Sequence, residues 1–204
     1  MGFLRHLTTK PWLTGVGEVL PRGDMIALPK AKFGLRVLMA VITVLFTLLV
    51  TAYSERMEFG GDWRPLPEPW LLWLNTAALV LSSAGLQWAS VSAKRGRMDG
   101  VRKGLLAGGA CAFAFLAGQL LAYRELVDLG YFVSSNPANS FFYLITALHG
   151  LHLLGGLVAW GRTADKVRRG VEVAKVRMSV ELCATYWHFL LLVWLVLFTL
   201  LLLT

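Results

Sequence analysis

Hydrophobic positions along the chain gather into five long runs, and charged or polar positions gather between them. The runs cover about residues 33–53, 70–93, 104–123, 141–160 and 181–203. Each has about the 20 residues that a helix needs to cross a bilayer. The pattern predicts an all-α fold, an integral membrane bundle of five transmembrane helices. A basic leader at 1–32 precedes this membrane domain, which covers 33–204.

The fourth run is the most distinctive, because histidines and glycines interrupt its apolar sequence. His149 and His152 are three residues apart, so they share one face of a helix. Imidazoles inside a membrane helix should face protein and find a hydrogen-bond partner there. The glycines at 150, 155 and 156 predict the close approach of another helix backbone. Asn139 or Ser140 is expected to cap this helix.

The second and third runs carry polar or small residues at positions that favour contact between helices. The second run is the most polar, with Asn75, Thr76, Ser82, Ser83 and Gln87. The third has Ala110, Ala114 and Gly118 at a spacing of four, a pattern typical of close helix contact. Its Gln119 and Tyr123 lie on that same side.

Composition supports a membrane location and argues against a nucleic-acid partner. Hydrophobic residues make up 56% of the chain, above the roughly 45–50% of soluble domains. The net charge of +8 comes from Lys and Arg beside the apolar runs, in the leader and in loops 94–103 and 161–180. The other two loops are acidic or near neutral. This alternation predicts a cytoplasmic N-terminus and an external C-terminus.

The residues that could carry chemistry are few. His149 or His152 together with His188 could supply haem ligands from facing helices, but histidines that bond across helices explain the same residues. Copper or zinc needs three or four ligands, and no Cys or carboxylate stands ready at membrane depth. No Asp or Glu lies in the interior of any run, so a pump, channel or transporter is not expected.

We therefore predict no catalytic, cofactor-binding or metal-binding residue in this chain. The remaining polar side chains are candidates for contacts between helices, with lipid or with a partner subunit. They are Asn75, Gln119, Tyr123, Glu125, His149, His152, Tyr186, Trp187 and His188.

Two motifs resemble those of subunit III of the haem–copper terminal oxidases, the cytochrome c oxidase type of enzyme. Residues 141–156, FFYLITALHGLHLLGG, are similar to the family helix FF-x-x-T-G-x-HG-x-H-V-x-x-G. Residues 186–189, YWHF, followed by VWL at 193–195, are similar to the family's final helix. Both stand in the family's order and spacing. Five runs match the short bacterial form of the family.

The resemblance implies a non-catalytic accessory subunit in aerobic respiratory electron transport, where the complex reduces dioxygen to water. Such a subunit stabilises the catalytic subunit and holds phospholipid. Haem and copper are expected in that partner, subunit I, with subunit II as a further partner in a bacterial inner membrane. The electron donor, cytochrome c or quinol, stays open. Alternatives are an accessory subunit of a nitric-oxide-reductase-type complex, an assembly factor, or a small diheme cytochrome b.

Two carboxylates of the family pattern are missing from this chain. Ile42 stands where the first shared helix usually carries a glutamate. Leucines at 190–192 replace the aspartate that usually follows YWHF. We do not expect this chain to perform any family role that depends on those carboxylates, including an influence on proton uptake.

Overall fold

The computed structural model describes residues 30–61, 63 and 70–203, and within these residues all regular structure is helical. The five helices are α1 (Lys30–Phe59), α2 (Leu71–Lys94), α3 (Met98–Asp128), α4 (Pro137–Arg168) and α5 (Val173–Leu202). They confirm the predicted all-α class. The predicted leader, apart from its last residues, lies outside the described residues.

Four of the helices, α1, α3, α4 and α5, are long and apolar enough to cross a membrane. α2 is not among them, because it carries the most polar side chains of the bundle. Several of these lie inside: Asn75, Ser82, Ser83, Ser90 and Ser92 are all buried. The hydroxyl of Ser82 donates a hydrogen bond to the Gly108 carbonyl of α3 at 2.6 Å. A fifth span through α2 therefore remains a prediction.

The helices extend beyond the apolar runs, and their ends follow local sequence signals. Asn136 caps α4, since its side-chain oxygen accepts a hydrogen bond from the Ala138 amide at 3.1 Å. Pro137 follows at the first helical position, where its missing N–H costs nothing. The predicted cap at Asn139 or Ser140 was therefore wrong. Asn139 instead lies buried in the first turn and donates to the Phe132 carbonyl at 3.0 Å.

Two short turns at the same end of the bundle depend on glycine. Gly96 and Gly170 have φ values of 70° and 74°, which a residue with a Cβ adopts only at a cost. In each turn the backbone amide of the residue after the glycine donates a hydrogen bond to the carbonyl five residues earlier. In the first turn the Arg97 nitrogen lies 2.9 Å from the Ser92 carbonyl oxygen. These turns close α2 and α4 in the Schellman manner and reverse the chain into α3 and α5.

The closest packing in the bundle joins α2 and α3. A Cβ built on Gly104 would lie 2.7 Å from the Ala89 amide nitrogen and 2.7 Å from the Gly85 carbonyl oxygen. A Cβ on Gly85 would meet the Gly108 nitrogen at 2.9 Å. Glycines at the crossing thus let the two backbones touch.

The small residues predicted to make this contact were mostly the wrong ones. Ala110 and Ala114 are exposed. Only Gly118 lies at a helix contact, where an added Cβ would collide with the Asn75 side chain of α2. The prediction used the small residues at 110, 114 and 118 of α3. The residues that actually contact α2, Gly104 and Gly108, have the same spacing of four but begin six residues earlier in the helix.

The glycines of α4 also behave differently from the prediction. Gly156 accommodates side chains rather than a backbone: an added Cβ would lie 2.9 Å from the Trp187 ring and 3.0 Å from the Tyr186 ring. Gly150 has only the end of Leu116 nearby, at 3.9 Å, and Gly155 faces open space. The expected close approach of a helix backbone to these three glycines was therefore wrong.

α1 is the most peripheral helix. It buries only Ile42, Phe46 and Tyr53, and it packs on α4 and α5. Much of its remaining surface is apolar and exposed, including Val41, Val44 and Leu48. The core itself lies between α2, α3, α4 and α5. Its largest fully buried side chains include Trp187, Trp194, Phe115, Leu79 and Leu153.

The two ends of the bundle differ in charge. The N-termini of α1, α3 and α5 meet the C-termini of α2 and α4 at one end, which we call the basic end. Most of the described Lys and Arg residues lie there. They are Lys30, Lys32, Arg36, Lys94, Arg95, Arg97, Arg102, Lys103, Arg162, Lys166, Arg168, Arg169, Lys175 and Arg177. The opposite end has Arg56 and Arg124 beside four carboxylates.

The contact between α2 and α3 predicts a position where even one methyl group is harmful. Gly104→Ala should lower the melting temperature of the purified chain in detergent, because its Cβ would collide with backbone atoms that cannot rotate away. Overpacking of this kind costs about 1–3 kcal/mol. Gly34→Ala is the matched control, since a Cβ there meets nothing within 4 Å. Equal melting temperatures for the two variants would contradict the packing described above.

Candidate functional site

Most of the polar side chains singled out from the sequence lie inside the bundle, and they form separate groups rather than one site. Asn75, Gln119, His149, Tyr186 and Trp187 are buried. Tyr123, Glu125 and His152 are partly buried, and His188 is exposed.

The first group connects α2, α3 and α4. The amide of Asn75 donates to the Gln119 carbonyl oxygen at 3.3 Å. One turn further along α3, the Tyr123 hydroxyl lies 2.7 Å from the hydroxyl of Thr146. Thr146 donates its own proton to the Phe142 carbonyl at 2.6 Å, so Tyr123 is the donor between the two hydroxyls. These contacts stabilise helix pairs where hydrocarbon would offer no partner.

His149 occupies the centre of the bundle among aromatic rings. Its ring centroid lies 5.2 Å from that of Trp194, 5.8 Å from Phe115 and 6.3 Å from Phe46. Neither ring nitrogen has a hydrogen-bond partner among the described residues. The expectation that this imidazole finds a partner was therefore wrong.

On the side of α1, His149 meets an apolar surface. Ile42 is buried on α1 one turn before Phe46, the α1 residue whose ring lies against His149. Both side chains are apolar, so neither can accept a proton from the imidazole.

His152, Tyr186 and Trp187 join α4 to α5. The Nδ1 of His152 lies 2.7 Å from the Leu148 carbonyl oxygen, so it carries a proton and donates it. The Tyr186 hydroxyl donates to the backbone carbonyl of His152 at 3.2 Å. The Trp187 ring fills the space over Gly156, and its Nε1 has no partner within the described part of the chain.

His188 lies at the surface between α2 and α5. Its Nε2 is 3.0 Å from the Gln87 carbonyl oxygen, and its Nδ1 is 2.5 Å from the Ser83 hydroxyl. Because an amide oxygen only accepts, Nε2 carries the proton and Nδ1 accepts from Ser83. Gln87 is exposed like His188. We call His188 and Gln87 the polar surface pair.

Sequence reasoning missed the residues that hold His188 in place. Ser83 and Gln87 were noticed as polar but were not chosen, although their spacing of four puts them on one face of α2. Two further contacts between helices were also missed. The Trp194 indole donates to the Thr76 hydroxyl at 2.9 Å, and the Trp160 indole donates to the Leu105 carbonyl at 2.9 Å.

Glu125 stays apart from these groups. It lies near the C-terminus of α3, at the end opposite the basic end, and its carboxylate contacts no described side chain by hydrogen bond or ion pair. Across the described residues, no three His, Cys, Asp or Glu side chains come together in a way that could hold a metal ion.

An apolar groove runs between α1, α4 and α5, with a volume of about 530 Å³. Leu38, Leu151, Gly155 and Ala159 form much of its wall. Arg162 and Lys166 line the part of the groove nearest the basic end. The groove is therefore mainly apolar, with cations at one end.

The isolation of His149 predicts that its imidazole is dispensable for stability. His149→Leu should leave the melting temperature of the chain unchanged or raise it, because it removes two buried polar atoms that lack partners, each costing about 1–3 kcal/mol. Trp194→Leu is the comparison. It should lower the melting temperature, since it removes a core ring and its bond to Thr76. A large loss of stability in His149→Leu would show that the imidazole has a partner.

The family model described as "Cytochrome c oxidase subunit III" matches residues 30–203. A "Probable cytochrome c oxidase subunit 3" from Mycobacterium bovis is 35% identical over 153 residues, which cover 72% of this chain and 74% of the relative. A "Cytochrome c oxidase subunit 3" from Thermostichus vulcanus is 32% identical over 171 residues, covering 76% and 84% respectively. The matched region includes all five helices and both motifs. The chain therefore belongs to the cytochrome c oxidase subunit III family.

Proposed function

We propose that this chain is a non-catalytic accessory subunit of a haem–copper terminal oxidase, which reduces dioxygen to water in aerobic respiration. It stabilises the catalytic subunit by covering one of its flanks, and it holds phospholipid between its own helices. The haem and copper groups belong to the catalytic partner. The observation that carries this proposal is the polar surface pair, His188 and Gln87, exposed on two helices whose remaining outer surface is mainly apolar.

The polar surface pair is poorly suited to contact with lipid. Its two side chains bond to each other, yet both remain exposed on the single chain. On the side away from the basic end, exposed apolar side chains of the same helices adjoin the pair, including Leu81 and Leu192. On its other side lie charged residues, among them Lys94. Polar groups at membrane depth normally face protein or a water-filled cavity. A partner subunit that covers this face of α2 and α5 removes the mismatch.

The interior of the bundle supports an accessory role. Its polar atoms are mostly used in contacts between helices, such as Asn75 with Gln119 and Trp194 with Thr76. A redox centre needs ligands whose nitrogen or sulfur atoms are free to bind metal. The nitrogens of His188 are both engaged with α2, and the ring of His149 is enclosed by Phe46, Phe115 and Trp194.

The charge difference between the ends supports an orientation in the membrane. Loops rich in Lys and Arg remain on the cytoplasmic side. The basic end, which contains the α2–α3 and α4–α5 turns, then faces the cytoplasm of a bacterium, and the C-terminus of α5 faces outward. α2 crosses the membrane with the other four helices, and most of its polar residues are buried within the bundle.

If this face binds the catalytic subunit, replacing the polar surface pair should weaken the binding of that subunit to this chain. A tagged wild-type chain, extracted in mild detergent, should bring down a subunit with haem absorbance. Replacing His188 and Gln87 together by Leu should lower the haem recovered per chain severalfold, because buried polar atoms on the partner lose their bonds. The measurement is the Soret absorbance of the eluate divided by the amount of chain.

The matched control replaces Thr43 and Thr51 by Leu. Both are exposed on α1 and bond only to a carbonyl four residues earlier in their own helix, so haem recovery should not change. A stable monomer with its own Soret absorbance would contradict the accessory role. Recovery of only immature catalytic subunit would identify an assembly factor instead.

The groove between α1, α4 and α5 predicts a measurable amount of bound lipid. Gly155→Leu should reduce the phospholipid that co-purifies with the chain, because Gly155 faces open space within the groove and a leucine side chain would occupy it. Gly34→Leu is the control, since Gly34 also has open space but does not line the groove. The measurement is phosphorus per chain after extensive detergent washing, and equal values for the two variants would refute a lipid site here.

A further inference from the structure

The loop between α3 and α4, residues 129–136, lies at the end of the bundle opposite the basic end. Three side chains from the first two turns of α4 each donate a hydrogen bond to one of three successive loop carbonyls, at 3.1, 3.0 and 2.5 Å. The pairs are Tyr143 with Tyr131, Asn139 with Phe132, and Ser140 with Val133. These bonds order the loop backbone in advance, which lowers the entropic cost of binding a partner.

The ordered loop exposes apolar side chains. Leu129 is 61% exposed, Phe132 is 53% exposed and Val133 is 52% exposed. One exposed apolar residue is ordinary on a protein surface, but here three belong to a single short loop. Because α4 binds the carbonyls of Phe132 and Val133, the loop cannot cover these side chains without breaking those bonds. The three side chains form an apolar patch, and such patches mark interaction surfaces.

The depth of the loop argues against acyl chains as the cover of this patch. The apolar run of α3 ends at Tyr123, whereas the helix continues to Asp128. At a rise of 1.5 Å per residue, the loop begins about 8 Å beyond the apolar run. The headgroup region of a bilayer adds only about 5–8 Å on each side of the hydrocarbon. The patch therefore lies near the outer edge of the headgroups, where a protein partner is the suitable cover.

The residues beside the loop carry negative charge. Glu125 and Asp128 precede it, and neither carboxylate has an ion-pair or hydrogen-bond partner within the part of the chain that the structure describes. Arg124 is the last cation before the loop, and the next is Arg162, beyond the apolar run of α4. A partner that presents Lys or Arg beside an apolar pocket would match both features, because complementary charges favour the correct partner.

We infer that the α3–α4 loop docks against a protein segment outside the membrane, which belongs to a neighbouring subunit and offers an apolar pocket with a Lys or Arg at its rim. Phe132 and Val133 fill the pocket, and Asp128 pairs with the cation. The inference rests on the proposed function in one respect, because it takes the neighbour to be a subunit of the same complex. The contact is separate from the polar surface pair, which lies on α2 and α5.

The test replaces Phe132 by p-benzoylphenylalanine, a photoreactive analogue of phenylalanine, in the tagged chain in its native membranes. Irradiation should join the chain to one protein of the haem-bearing complex, and mass spectrometry should place the joined peptide outside the membrane spans of that protein. The matched control replaces Phe59, which is 80% exposed at the same end of the bundle but lies on α1. It should give at least about fivefold less protein adduct, because the interface does not cover it.

A second arm tests the charge beside the loop. Replacing Glu125 by Gln together with Asp128 by Asn should lower the adduct yield at Phe132 at least about threefold, within the range for loss of two exposed ion pairs. The control replaces Glu55 and Glu58 by Gln. These are exposed carboxylates at the same end, on α1, and their loss should leave the yield unchanged. A melting temperature equal to that of the wild type confirms that each variant folds.

An adduct with lipid alone would show that the loop contacts the membrane and would overturn the inference. Equal yields at Phe132 and Phe59, or a yield at Phe132 that does not respond to the loss of Glu125 and Asp128, would overturn it too. Haem in the eluate without a protein adduct would count against the loop contact and leave the proposed function intact. An adduct with a peptide outside the membrane, but without haem in the eluate, would count against the proposed function only.

Discussion

The hydrogen bonds of α2 are the constraint on which the rest of the bundle depends. Hydrocarbon cannot bond a hydroxyl or an amide, so the polar side chains of α2 need partners on other helices. Asn75 and Ser82 find theirs on α3, and Thr76 finds its partner on α5. These bonds fix the rotation of α2 about its axis. That rotation brings Gly85 against α3, where the two backbones come into contact.

Once α2 is fixed in this way, the remaining polar groups have few positions left. Tyr186 on α5 donates to the His152 carbonyl of α4, whereas His149 has no partner among the described residues. The polar surface pair is different, because its partners within the chain leave it exposed. A surface that keeps one exposed polar face suits contact with another protein.

Apolar residues at Ile42 and at 190–192 keep these positions of the membrane interior free of charge. His149 keeps its place among Phe46, Phe115 and Trp194 although no neighbour bonds it. A carboxylate at membrane depth is expensive unless it is paired. With apolar residues at these positions the bundle avoids that cost, and an imidazole without a partner is left inside it. The charge that remains is concentrated at the ends of the helices.

The sequence by itself determined the all-α class, the approximate helices and, through two motifs, the family, because apolar length and motif spacing are properties of the chain alone. It also indicated that Asn75, Gln119 and Tyr123 contact other helices. It could not say which side of each helix faces which neighbour. The close contact at Gly85 and Gly104, the isolation of His149 and the pairing of His188 with Gln87 all depend on helix rotation. Rotation is set by side chains far apart in the sequence, so only the tertiary structure decided them.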